Sequence, residues 1–141
     1  MCDDFTLVLD PVPEAARAAR ELVDKAFAAE GLESYDARLV VTELFSNAAR
    51  VSRKGQHVVV RVVLEPGRRV VEVWDQCDDP LVMRVAGADD EGGRGLFVID
   101  ELVDDWGVRA LSSGGKVVWA ALHASGLLRV AQPARERSIG S

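Results

Sequence analysis

From His57 to Trp74 the apolar residues recur at every second position, whereas from Pro13 to Ser52 they recur every third or fourth. A chain that changes period in mid-course must build both a helical layer and a sheet. The valine-rich runs His57–Leu64 and Arg69–Trp74 flank Glu65-Pro66-Gly67-Arg68, a strong hairpin pattern. Upstream, Pro13 can open a helix where a missing N–H costs little. That helix is predicted to run to about Glu30, with Ala15, Ala19, Leu22, Val23, Ala26 and Phe27 on one face and Gly31 as its stop. A second is predicted from about Ser34 to Ser52, with Ser34 as N-cap and Ala37, Val40, Val41, Leu44, Ala48 and Val51 as its apolar stripe.

The remainder is shorter. Phe5–Leu9 reads as a strand, broken by Asp10-Pro11-Val12-Pro13. Residues 76 to 93 read as a loop. Arg94–Val103 reads as a short helix opened by glycines, Trp106–Ala110 as a strand, and Lys116–His123 as a last strand after Ser112-Ser113-Gly114-Gly115. The order β, α, α, β, β, loop, α, β, β predicts an α/β chain: a two-layer sandwich with helices on one face of a mixed, mostly antiparallel sheet. Residues 1–124 are expected to form one domain, and residues 125–141 a flexible tail.

The 141 residues, 48% apolar and 28% charged, suit one soluble domain with a real core. The formal net charge of −6 argues against direct nucleic-acid binding, which needs clustered Lys and Arg. Cys2, Cys77, His57 and His123 have no metal-ligand spacing, and free thiols in a reducing compartment are expected. No apolar run approaches the roughly 20 residues of a membrane span. The acidic start, Met1-Cys2-Asp3-Asp4, is unlike a signal peptide, so the expectation is cytoplasmic. No Ser/His/Asp constellation stands in a convincing context.

Three places could carry chemistry. In Glu43-Leu44-Phe45-Ser46-Asn47, Glu43 and Asn47 stand one turn apart on one flank of the second helix. A carboxylate there can take a proton from a hydroxyl, and an amide oxygen suits Mg²⁺; the pair is equally an ordinary polar flank. Asp75 ends a strand, where it can accept a hydrogen bond from an exocyclic amine such as adenine's, or simply begin a turn. Gly92-Gly93-Arg94-Gly95-Leu96 precedes a helix and would let backbone N–H groups approach an anion. It lacks the Lys-Ser/Thr of a P-loop, and it does not follow the first strand as a dinucleotide fingerprint does.

In combination these residues resemble the GHKL superfamily of ATPases, which includes histidine kinases, DNA gyrase and mismatch-repair proteins. Glu43–Asn47 looks like its N box, Asp75 like the aspartate of its G1 box, and Gly93-Arg94-Gly95-Leu96 like its G2 box. The likeness covers about Phe5 to Leu122 and is closest to the stand-alone actinobacterial members, similar to anti-sigma factor serine kinases. It implies the Bergerat ATP-binding fold, with ATP and Mg²⁺ as cofactors. Asn47 would bind Mg²⁺ bridging the phosphates, and Glu43 would act as general base towards a protein serine. Asp75 would hold the adenine amine. Gly93, Arg94, Gly95 and Leu96 would complete the nucleotide site, with residues 80 to 92 as a short lid.

Two features depart from the family pattern. Cys77 and Asp79 occupy places where the G1 region usually has glycines, and Val117 follows Lys116 where relatives often have threonine. The function implied is a partner-switching regulator that binds a sigma factor and phosphorylates an anti-anti-sigma factor, as a possible homodimer. The alternative is a pseudokinase that only binds its partner.

Overall fold

A computed structural model describes residues 4–78 and 99–123. Five strands form one sheet: β1 (Asp4–Leu9), β2 (Val58–Glu65), β3 (Arg68–Asp75), β4 (Asp105–Ala110) and β5 (Lys116–His123), in the order β1-β2-β3-β5-β4. All four neighbouring pairs are antiparallel, so the mixed component expected from the element order is absent among the described residues. Two helices, α1 (Ala16–Ala28) and α2 (Tyr35–Val51), cover one face.

Alternation along the strands explains the two layers. Val58, Val60, Val62 and Leu64 of β2 are buried and meet Val71 and Val73 of β3 in register, with Val118, Ala120 and Leu122 of β5 beyond. This row faces Ala19, Val23, Ala26 and Phe27 of α1 and Val40, Val41, Leu44, Phe45 and Ala48 of α2 in one core. The intervening positions form the opposite face. There Arg61 pairs with Glu72 at 3.3 Å, and Trp74 Nε1 donates to the same Glu72 oxygen.

Helix ends follow local chemistry. A single 3-10 turn, Pro13–Ala15, leads into α1. α1 stops where Gly31 takes φ +71°, with Gly31 N–H bonding Ala28 O and Leu32 N–H bonding Phe27 O, both at 3.0 Å. This is the paired closure that a left-handed glycine permits. Ser34 stands at the N-cap of α2, but its hydroxyl does not cap the helix. It donates to Asp24 of α1 at 2.7 Å, beside the Arg38–Asp24 ion pair, and Glu33 serves the first free N–H, that of Tyr35. An inter-helix carboxylate with two donors has outcompeted the local cap. The β2–β3 hairpin turns on Pro66 and Gly67, the latter at φ +83°.

Of the helix predicted at Arg94–Val103, residues 99–102 are helical and Val103 N–H bonds Ile99 O; the rest lies outside the described residues. Ile99 and Val103 are fully buried, and Trp106 Nε1 reaches Asp100 at 3.2 Å, fixing this turn to the start of β4. No described helix is long and apolar enough to cross a membrane.

Candidate nucleotide site

Topology brings two of the predicted residues, Asn47 and Asp75, towards one end of the domain. α2 ends at Val51, and only six residues separate it from β2 at Val58. The start of β2 therefore lies under the end of α2, and it pairs with the end of β3 through Val59↔Trp74. The start of β5 completes the same edge through Asp75↔Lys116. His57 N–H bonds the Gln76 side chain at 2.9 Å, tying the loop after α2 to the loop after β3. Asn47, one turn before the end of α2, and Asp75, the last residue of the central strand, thus share this end.

Each of these side chains has a distinct setting. Asn47 is only 4% exposed, while Glu43 is half-buried and makes no hydrogen bond or ion pair with a described residue. Their 400° of helical rotation places Asn47 closer to the core and Glu43 towards the rim. Asn47 Oδ1 accepts a 2.7 Å hydrogen bond from Arg50, whose side chain lies on the exposed surface. An exposed guanidinium can yield that oxygen to a cation at small cost. Among the described residues no group of three or more His, Cys, Asp or Glu side chains could hold a metal alone. A divalent ion here would therefore depend on Asn47 together with phosphate oxygens and water, the usual coordination of Mg²⁺ with a nucleotide.

Asp75 is 4% exposed, and its side chain is in a buried ion pair with Lys116, Nζ to Oδ1 at 3.0 Å. The same Oδ1 accepts the Cys77 N–H at 2.8 Å. Asp75 Oδ2 has no hydrogen-bond partner among the described residues. A carboxylate oxygen with no donor among the described residues fits an exocyclic amine. Asp78 binds the turn before β5, accepting Gly115 N–H at 2.6 Å.

Cys77 contributes its backbone N–H, which any residue but proline supplies. No described non-glycine residue has positive φ, so position 77 does not require glycine here. Val117 pairs with Trp74, one position along from the Asp75↔Lys116 pair, and so projects from the opposite face of the sheet. Gly93, Arg94, Gly95, Leu96, the lid at 80 to 92 and Asp79 lie outside the described residues, as does the tail at 125–141.

A depression of about 490 Å³ opens on the sheet face away from α1 and α2, among Arg61, Arg68, Glu72, Arg109 and Trp119. Two of its guanidinium groups are already neutralised, Arg61 by Glu72 and Arg68 by Glu65.

Sequence reasoning singled out Asp75 but passed over Lys116. The signal was legible: a lysine opening an otherwise apolar strand, Lys116-Val117-Val118-Trp119-Ala120-Ala121-Leu122. What was missing was the strand order that sets it opposite Asp75.

No curated protein matches the chain. A family model described as histidine kinase-like ATPase domain matches residues 6–122, which takes in α1, α2, β2, β3 and β4 whole and most of β1 and β5. With that match over most of its length, the chain belongs to the histidine kinase-like ATPase domain family.

Proposed function

We propose that the protein is an ATP-dependent serine kinase acting in a partner-switching pathway, binding a sigma factor and phosphorylating a serine of an anti-anti-sigma factor. The observation that carries the nucleotide part is Asp75: a buried carboxylate at the end of the central strand, held through one oxygen, with no donor on the other among the described residues. Family membership supports ATP as the ligand.

The residues present fit that cofactor. Asp75 Oδ2 would accept the adenine amine. Asn47 would contribute an oxygen to Mg²⁺ once Arg50 releases it. ATP would supply the phosphoryl group. Glu43, at the rim and without a partner among the described residues, would accept the proton of an incoming serine hydroxyl. Its half-exposure suits a protein substrate, which must reach it from outside. The net charge of −6 favours basic protein surfaces over nucleic acid as partners.

The test is label transfer from γ-labelled ATP to a candidate antagonist protein. The expected result is phosphoserine on the antagonist, formed only with Mg²⁺ present. A protein that captures its partner yet transfers no label would instead be a binding-only regulator.

A further inference from the structure

Lys116 is a lysine where lysine is seldom found. Its side chain is 3% exposed, whereas the chain's other lysines, Lys25 and Lys54, are exposed. Lysines are almost never fully buried unless paired, and here the partner is Asp75, whose side chain is 1% exposed. The turn before β5 holds this pair in place. Gly115 N–H bonds Asp78 at 2.6 Å, and Leu111 N–H bonds Gly115 O at 3.0 Å. Gly115 lies so close to β3 that a Cβ there would sit 2.3 Å from the Asp75 carbonyl oxygen.

The donors on Asp75 are unevenly shared. Lys116 Nζ and Cys77 N–H both engage Oδ1, and Oδ2 has neither. Two donors on one oxygen fix the rotation of the carboxylate and aim the other. In an ion pair, that second oxygen can only accept hydrogen bonds.

We propose that Lys116 is a positioning residue for base selection. By holding Asp75 through Oδ1, it leaves Oδ2 as an acceptor that admits an exocyclic amine, as in adenine, and rejects a carbonyl at that place, as in guanine. This rests on the reading of Asp75 as the base-contacting residue. A mispaired polar group in a buried site discriminates strongly, because an acceptor facing an acceptor leaves both unsatisfied.

The experiment is calorimetric titration of the full chain with ATP and with GTP, for wild type, Asp75→Asn, Lys116→Met and Lys116→Gln. Wild type is expected to prefer ATP. Lys116→Met, which keeps the buried stem but not the charge, should reduce the ATP-over-GTP ratio at least about tenfold. Lys116→Gln, which keeps a donor for Oδ1, should retain most of it. Should Lys116→Met fail to fold, the wild-type ammonium signal decides. With ¹⁵N-lysine labelling, the buried Lys116 resonance should shift on adding adenosine and stay put with guanosine. A folded Lys116→Met with an unchanged ratio, or an ammonium signal indifferent to saturating adenosine, overturns the proposal. A preference lost in Asp75→Asn but intact in Lys116→Met overturns the role of Lys116 and leaves the nucleotide reading standing. A wild type with no preference for ATP overturns both.

Discussion

Gly115→Ala is expected to lower the unfolding free energy by about 2–5 kcal/mol, a large effect for one added methyl. Gly115 has φ +89°, where an L side chain costs about 1–2 kcal/mol by itself. The added Cβ would also lie 2.3 Å from Asp75 O and 3.1 Å from Gln76 Cα. Both neighbours are backbone of the central strand end and cannot rotate away. The turn must move, and overpacking of this kind costs about 1–3 kcal/mol. Moving it stretches the Gly115–Asp78 hydrogen bond and the Lys116–Asp75 pair. Gly31→Ala provides the control. Gly31 also has positive φ, +71°, but nothing lies within 4 Å of its missing Cβ. Only the backbone term applies there, about 1–2 kcal/mol. Urea unfolding of both variants checks the difference; equal losses would mean that the β5 turn is not pressed against β3.

Glu43→Ala is expected to reduce phosphoryl transfer by roughly 10²–10⁴-fold, the usual contribution of a positioned general base, while ATP still binds. Glu43 is half-buried with no described hydrogen-bond or ion-pair partner, so its removal strands no other group. The stability change should stay within about 0.5 kcal/mol, as for surface positions. Single-turnover transfer measured beside ATP affinity separates the two roles. A variant with full transfer would move the base elsewhere, and one that lost ATP affinity would make Glu43 a binding residue.

Much of the fold was legible because periodicity is a direct record of which face is buried. The β2–β3 hairpin could be read from valine alternation around Pro66-Gly67, and α1 from Ala19, Val23, Ala26 and Phe27. Strand order was less legible. β5 lies between β3 and β4, a non-local pairing that the order of strands along the chain does not specify. That pairing is what sets Lys116 against Asp75, so the ion pair was hidden with it. Ser34 shows a different limit: a capping residue type sat at the expected position, but Asp24, ten residues earlier, took its hydroxyl. At the candidate site, Glu43, Asn47 and Asp75 were singled out by residue type and spacing. The sequence could not show that one is at the rim and two are buried, because that depends on which flank of α2 meets the sheet.

A nucleotide site at the shared end of α2, β3 and β5 is tested most directly by calorimetric titration of Mg²⁺-ATP into wild type and Asn47→Ala. Asn47 is 4% exposed, but the side chain bonded to its Oδ1 is the exposed Arg50, which water can serve instead. Circular dichroism checks that the variant is folded. Saturable binding by wild type that is lost in Asn47→Ala is the expected result. No binding up to millimolar ATP by folded wild type, or equal binding by both proteins, would contradict it.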